Sequence, residues 1–203
     1  MSMIQNIILD IGGVLVRSND QQFFRDKGLD EETAGRVGKA MFGTEAWIEM
    51  DRGVWSFDKV IDAFVRNDPQ DEAILRNIFT DTRGFVTVCP YAGDWIRGFQ
   101  AKGLRVYCLS NWSEKILNDC REELKFLDIA DGYVLSWQEK LVKPDPDIYR
   151  CLLQRYGLKA ETCIFVDDSR VNVEAARALG IHGIVFEDQD QADREIRDFI
   201  KTH

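Results

Sequence analysis

The sequence predicts an α/β fold, in which a parallel sheet carries helices on both faces and a helical insertion follows the first strand. Short apolar runs alternate with amphipathic helical segments along the chain, which is the pattern of a doubly wound parallel sheet. In addition, about 80 residues separate the first run from the next helix. That distance is far longer than an ordinary loop between a strand and a helix.

Five runs rich in β-branched and aromatic residues predict strands that are buried on both faces. They cover residues 6–10, 104–110, 132–135, 162–167 and 182–186. Apolar residues at helical spacing precede the second run, and similar segments separate the third, fourth and fifth runs. These helices cover residues 91–99, 148–156 and 173–179.

The long insertion is itself predicted to be helical. Apolar stripes occur around residues 60–65 and 74–79, and residues 21–27, 31–39 and 44–50 also have a helical pattern. We therefore predict a helical cap over residues 17–85 and a core made of residues 1–16 and 86–203. Because ligands of such sheets bind beyond the carboxyl ends of the strands, this cap would cover the site.

Composition limits the classes of partner. The 203 residues are 45% hydrophobic and 30% charged, with a net charge of −9. This acidic balance disfavours nucleic acid and anionic membranes, and no protein partner is evident. The five cysteines include no CxxC pair, no apolar run is long enough to span a bilayer, and the N-terminus lacks a signal-peptide pattern. We therefore expect reduced thiols and a cytoplasmic protein.

Polar residues follow the predicted strands at their carboxyl ends. Asp10 ends the first strand, Ser110 and Asn111 end the second, and Asp167 and Asp168 end the fourth. Lys143 lies in the loop after the third strand. The topology brings all of these ends to one edge of the sheet, where the carboxylates would repel one another unless a cation lay between them. Oxygen-rich surroundings of this kind suit Mg²⁺.

This set of residues suits phosphate chemistry. A carboxylate nucleophile can take a phosphoryl group and release it to water, while a metal neutralises charge on the transferred group. Lys143 can orient a carboxylate or bind phosphate, and Ser110 and Asn111 can donate to phosphate oxygens. Gly12 and Gly13 would let the backbone turn tightly under a ligand. The structural alternative for the acidic pair is an N-cap of the helix from Arg170, which would explain one acid better than both.

Four segments together resemble the motifs of the haloacid dehalogenase superfamily, in the right order. They are Asp10-Ile-Gly12-Gly13-Val14, Ser110-Asn111, Lys143-Pro144-Asp145 and Val166-Asp167-Asp168-Ser169. The resemblance spans the chain and implies a Rossmann-like three-layer core with a helical cap inserted after the first motif.

The resemblance also implies a role for each matching residue. Asp10 would be the nucleophile and a ligand of Mg²⁺. The other metal ligands would be the Gly12 carbonyl and Asp168, with Asp167 binding directly or through water. Ser110 and the Asn111 backbone would bind phosphate beside Gly13, Lys143 would steady Asp10, and Asn172 would orient the groups behind them. The substrate would be a small phosphate ester.

Gly12 departs from the family pattern, because the phosphatases usually carry there a second aspartate that protonates the leaving group. That step is worth about 10²–10⁴-fold in rate. Three explanations stay open: a substrate with a good leaving group, such as a sugar 1-phosphate; a substitute from the insertion, for which Asp20 is a candidate; or a reaction that needs no acid. The DxGGV start resembles a bacterial subgroup that includes an α-glucose-1-phosphate phosphatase, which favours a sugar phosphate.

Two other functions remain as alternatives. The first is a metal-independent 2-haloacid dehalogenase, which the acidic pair disfavours because that pair implies a retained metal. The second is a catalytically weak binding protein.

In the insertion, Trp47, Glu49, Asp51 and Arg52 are candidates to contact the substrate. The alternative, that Trp47 packs within the cap and the charges face solvent, is somewhat favoured. Trp112 either lines the pocket or packs in the core.

Overall fold

The computed structural model describes residues 3–202 and shows a five-stranded parallel sheet. The strands within this range are β1 (Asn6–Leu9), β2 (Val16–Ser18), β3 (Val86–Val88), β4 (Arg105–Ser110), β5 (Gly132–Leu135), β6 (Cys163–Asp167) and β7 (His182–Val185). The sheet has the order β5-β4-β1-β6-β7, and β2 pairs separately with β3. The predicted α/β fold class is confirmed, and all five predicted strands are present.

Helices surround the sheet. In chain order they are α1 (Asp20–Asp26), α2 (Glu31–Met41), α3 (Glu45–Arg52), α4 (Phe57–Asn67), α5 (Glu72–Ile78), α6 (Ala92–Gln100), α7 (Glu114–Asp119), α8 (Ser136–Glu139), α9 (Pro146–Tyr156), α10 (Arg170–Ala178) and α11 (Gln189–Thr202). Among residues 3–202, no helix combines the length and apolar character needed to cross a membrane. All five cysteines are free.

The strands of the five-stranded sheet are apolar between their ends because the sheet is covered on both faces. In β1, Ile7 and Leu9 pack in the same cluster as Ile96 of α6, while Ile8 packs on the opposite face with Ile148 of α9. Successive side chains of a strand point to opposite faces, so a sheet between two helical layers needs apolar residues at each position between the strand ends. The result is the three-layer arrangement that the sequence predicted.

The register of β1 determines which polar residues meet at the sheet edge. Leu9 lies opposite Cys108 of β4 and opposite Val166 of β6. One residue further on, the Asp10 backbone N–H donates to the Val166 carbonyl at 2.9 Å. Asp10 therefore lies at the carboxyl edge of the sheet, where β4 ends at Ser110 and β6 ends at Asp167.

A short antiparallel ribbon of β2 and β3 lies between the sheet and helices α1–α5. Its register pairs Val16 with Val88 and Ser18 with Val86. This ribbon was not predicted from the sequence. Buried aromatic rings, among them Phe23 and Phe64, continue the core from the sheet into these helices.

The C-terminal end of α3 packs against α8. The Ser136 hydroxyl donates to the Asp51 carbonyl, and Lys140 Nζ donates to the Gly53 carbonyl at 2.6 Å. Gly53 follows α3 with φ +68°, and a Cβ there would lie 2.8 Å from the Trp137 carbonyl oxygen. Only glycine tolerates both this backbone conformation and this close approach.

Candidate active site

Two carboxylates and one ammonium group form a buried cluster at the carboxyl edge of the sheet. Lys143 Nζ lies 2.8 Å from Asp10 Oδ1 and 2.6 Å from Asp167 Oδ2. The exposed fractions of Asp10, Lys143 and Asp167 are only 6%, 4% and 0%. Removing charges from water is costly unless they are paired, so such a cluster indicates a functional rather than a stabilising role.

Asp10 is oriented by its own turn. The Ile11 backbone N–H donates to Asp10 Oδ1 at 2.7 Å, and the Ser110 hydroxyl also bonds the carboxylate. Burial raises the pKa of Asp10 to about 7, with Asp167 adding to the rise, although the Lys143 ammonium opposes it. Lys143 alone does not bring the pKa of Asp10 back to its ordinary value. Full ionisation of Asp10 at neutral pH therefore requires additional positive charge.

Lys143 is positioned through its backbone by the Asn111 side chain. The Lys143 N–H donates to Asn111 Oδ1 at 2.7 Å, and Asn111 Nδ2 donates to the Lys143 carbonyl at 3.0 Å. The Asn111 amide is therefore engaged at both ends. Because the side-chain amide is engaged, only the backbone N–H of Asn111 is left to donate to a phosphate oxygen. Burial alone would lower the pKa of Lys143, but Asp10 and Asp167 outweigh it and raise the pKa.

Asp167 is held from three sides. Besides Lys143, Asn172 Nδ2 donates to both of its carboxylate oxygens at 3.1 Å, and the Ser169 N–H donates to Oδ1 at 2.8 Å. The bond from the Ser169 N–H agrees with the alternative explanation that an acid here caps the start of α10. A helix cap does not require the additional bonds from Lys143 and Asn172, so capping alone does not explain Asp167.

Asp168 completes an acidic group with Asp10 and Asp167, in which one oxygen of each carboxylate lies within 4.8 Å of the others. Burial, followed by the charge of Asp167, raises the pKa of Asp168. Three carboxylates face a single ammonium, so the cluster carries uncompensated negative charge when ionised. The donor set consists of hard oxygens, which fits a Mg²⁺ ion.

The turn after Asp10 brings the backbone close to this cluster. Gly13 has φ +74°, and a Cβ there would lie 2.2 Å from Asp168 Oδ2. The turn is closed by bonds from Gly13 N to Val16 O and from Val16 N to Ile11 O, both 2.9 Å. Any side chain at Gly13 would displace Asp168.

A pocket of about 300 Å³ opens beside the cluster, between the sheet edge and the helical insertion. Its core side includes Gly12, Gly13, Asn111, Trp112 and Ser113. Its other side includes Asp20, Phe42, Trp47, Asp51 and Phe85. A larger cleft of about 850 Å³ between α1 and α2 shares Asp20 and Phe42 with this pocket, but its lining includes neither the glycines that follow Asp10 nor Asn111.

The candidates from the insertion separate into two groups. Trp47 both packs and lines the pocket: its ring lies 4.9 Å from the Phe42 ring, and its indole donates to Asp51. Glu49 and Arg52 instead pair with each other at 3.0 Å and are not part of the pocket lining. Trp112 is 7% exposed, so it belongs to the core and to the pocket wall at once.

Ser136 connects the insertion to the core, a role that was not predicted from the sequence. Its hydroxyl accepts from the Trp112 backbone N–H at 2.8 Å and donates to the Asp51 carbonyl. It thereby links the insertion to the residue that follows Asn111. A serine after a strand carries no signal in the sequence that could have indicated this role.

Comparison with known proteins identifies the class of this fold and site. Residues 4–180 match the model of the haloacid dehalogenase-like hydrolases. The chain therefore belongs to the haloacid dehalogenase-like hydrolase family, as its four motifs implied.

Three similar proteins illustrate the relationship. The sesquiterpene phosphatase astK of Aspergillus oryzae is 25% identical over 193 residues, covering 95% of each chain. The D-ribitol-5-phosphate phosphatase of Bacteroides thetaiotaomicron is 28% identical over 206 residues, covering 94% of this chain and 95% of the relative. A wild-type family enzyme from the same bacterium, solved with magnesium and inorganic phosphate, superposes with a TM-score of 0.70 at 19% identity, covering 93% of this chain and 98% of that one. The last comparison supports the fold alone.

Proposed function

We propose that this protein is a Mg²⁺-dependent phosphatase that hydrolyses a small phosphate ester through an aspartyl-phosphate at Asp10. The observation that carries the proposal is the convergence of Asp10, Asp167 and Asp168 on one point beside Lys143, next to a pocket. Phosphatase-named relatives along almost the whole chain support the same reaction.

Each group in the cluster has a task in this mechanism. Lys143 and the Ile11 N–H hold Asp10 Oδ1, which leaves Oδ2 to attack phosphorus. The Ser110 hydroxyl and the Asn111 backbone N–H would donate hydrogen bonds to the phosphate oxygens, next to Gly13. Asp10, Asp168 and the Gly12 carbonyl, with Asp167, would hold Mg²⁺, which when bound neutralises charge on the transferred phosphoryl group.

The pocket favours a substrate whose organic part is uncharged. Among the described residues that line it, there is no lysine, arginine or histidine to bind a second anionic group. Its walls instead contain aromatic and aliphatic side chains, including Phe42, Trp47, Phe85, Trp112 and Ile116. A sugar 1-phosphate can stack on such rings, but an ester of an apolar alcohol would bury more apolar surface.

Phosphate release from purified protein tests the proposal. The panel contains glucose 1-phosphate, farnesyl monophosphate and the doubly anionic phosphoglycolate, each with Mg²⁺ and with excess chelator. We expect turnover only with Mg²⁺, and the weakest activity on phosphoglycolate. Release that persists in chelator would contradict the metal requirement. Asp10→Asn serves as the control for contaminating phosphatase.

Two further measurements separate the alternatives. Halide release from a 2-haloacid without metal would indicate a dehalogenase. Tight binding of a phosphate ester without turnover of any ester would indicate a binding protein.

A further inference from the structure

The position two residues after the nucleophile cannot supply a proton, because it is Gly12. A Cβ at Gly12 would lie 3.9 Å from ring carbon Cζ3 of Trp112, so the wall facing this position is hydrocarbon. An alkoxide is a poor leaving group, and its departure depends on a proton donor in the transition state. A phosphatase with this core that releases an alkoxide therefore needs a donor from another part of the pocket.

Asp51 is placed to be that donor. Asp51 lines the same pocket as Gly12, Asn111 and Trp112, and it belongs to the insertion. Its backbone carbonyl accepts from Ser136, whose hydroxyl in turn accepts from the Trp112 N–H. Two hydrogen bonds thus tie the Asp51 backbone to the residue that follows the phosphate-binding pair.

The surroundings of Asp51 favour its protonated form. It lies one residue before the end of α3, where the negative end of the helix dipole disfavours a carboxylate. Burial raises the pKa of Asp51 to about 7, although the bond from Trp47 opposes this. A carboxyl group of this kind both gives and accepts a proton near neutral pH.

Asp20, the other acid of the pocket, has different surroundings. It is the first residue of α1. Asp20 also lines the larger cleft between α1 and α2. Asp51, by contrast, is tied through Ser136 to the residue that follows the phosphate-binding pair.

We propose that Asp51 protonates the leaving oxygen of the substrate and then activates water, in place of the aspartate absent at Gly12. In the first step Asp10 Oδ2 bonds phosphorus, the ester P–O bond breaks with its electron pair on the alcohol oxygen, and that oxygen takes the Asp51 proton. In the second step the Asp51 carboxylate takes a proton from water as the water oxygen bonds phosphorus. The bond from phosphorus to Asp10 breaks, and its electron pair returns to Asp10. The sum is ester plus water giving alcohol plus phosphate.

This inference rests on the proposed phosphatase activity, and leaving-group dependence tests it separately. The probes are p-nitrophenyl phosphate, whose leaving group departs without a proton, and 2-phenylethyl phosphate, whose alkoxide does not. The first step is measured as the pre-steady-state release of one equivalent of alcohol or phenol per enzyme, with Mg²⁺ present. For Asp51→Asn we expect a loss of about 10²–10⁴-fold on the alkyl ester and less than about tenfold on the aryl ester.

Two further variants sharpen the comparison. Asp62→Asn is the matched control, since Asp62 is a surface residue of α4 paired with Arg76 outside the pocket. It should behave as wild type on both esters. Asp20→Asn tests the competing acid and should show no difference between the esters. Thermal unfolding of each variant establishes that the protein is folded.

Each outcome has a definite meaning. Asp51→Asn that keeps the alkyl rate, or loses both rates equally, would overturn the inference while leaving the phosphatase proposal intact. An alkyl-specific loss in Asp20→Asn would assign the proton to Asp20 instead. Wild-type protein that hydrolyses neither these two esters nor the substrate panel would overturn the proposed function and the role of Asp51 together.

Discussion

Asp51→Asn is expected to stabilise the folded protein at pH 8 more than at pH 5. Burial raises the pKa of Asp51 from its ordinary value of 3.8 to about 7 in the folded protein. Between these values the unfolded chain has lost the proton and the folded protein still holds it. Stability therefore falls as the pH rises through this window and stays at the lower level above it. Asparagine cannot ionise, so the variant escapes this loss.

The size of the effect follows from the two pKa values. Each pH unit between them is worth about 1.4 kcal/mol, so the full loss above pH 7 is at most about 4 kcal/mol. Somewhat more than a third of it is already present at pH 5. Because Asp51 is half-buried and borders a pocket, we discount the rest for solvent screening and expect about 1–2 kcal/mol of additional stabilisation at pH 8. That corresponds to about 2–8 °C in unfolding temperature for a chain of this length.

Urea unfolding of wild type and Asp51→Asn at both pH values, with chelator present throughout, measures the difference. Asp20 lines the same pocket as Asp51, and Lys140 and the Glu49–Arg52 pair lie at the same end of α3. These charged groups are unchanged between the two proteins. The Asp62→Asn variant should differ from wild type by less than about 1 kcal/mol at either pH. The reasoning would be refuted if the difference in stability between Asp51→Asn and wild type were the same at pH 5 and pH 8. It would also be refuted if Asp51→Asn were less stable than wild type at pH 8.

Three other substitutions probe the site and the seating of the insertion. Asp10→Asn should abolish phosphate release but leave the unfolding temperature nearly unchanged, since Lys143 keeps its 2.6 Å pair with Asp167; a collapse in circular dichroism would make Asp10 structural. Asn111→Ala removes both bonds to the Lys143 backbone and should lower kcat by about 10²-fold through misplacement of the ammonium; an unchanged kcat would mean that the loop is held by other contacts. Gly53→Ala should cost about 1–2 kcal/mol in thermal unfolding from its left-handed conformation alone. The 2.8 Å approach to a backbone carbonyl adds to this, and wild-type stability would show that α3 can shift without cost.

The strands of the sheet could be predicted closely from the sequence. The run at 132–135 coincides with β5, and the run at 6–10 exceeds β1 by the single residue Asp10. The reason is that strands covered on both faces leave no position for a polar residue until the strand ends. The same property makes the polar residue at each end conspicuous. Because parallel strands share a carboxyl edge, the meeting of Asp10 with Asp167 could be predicted too.

The short ribbon of β2 and β3 could not be predicted in this way. Each strand has three residues and buries only the first, Val16 in β2 and Val86 in β3. A three-residue segment with one buried side chain has no measurable periodicity. The two strands are also separated by the whole insertion, so their pairing depends on the folded arrangement of α1–α5.

The supporting contacts of the site were equally hidden. Ser136 and Asp51 are 85 positions apart, and Asn111 and Lys143 are 32 apart. Both contacts depend on loop conformations that no local pattern specifies. From the sequence, Asp51 was one of several candidates to contact the substrate, because it lies among charged residues near the end of a predicted helix. Only the structure distinguishes it from Glu49, which pairs with Arg52 outside the pocket lining.

Placing the proton donor on the insertion changes how substrate recognition relates to chemistry. An acidic side chain at position 12 would belong to the core. It could donate its proton whether or not the insertion packed against α8. With Asp51 as the donor, the proton reaches the leaving oxygen only when α3 rests on α8 through Ser136 and Lys140. The organic part of the proposed substrate would occupy the space between these two layers, where Trp47 and Trp112 line the pocket. Binding energy from that apolar part then stabilises the arrangement in which the proton is delivered, so a poorly fitting ester loses rate as well as affinity.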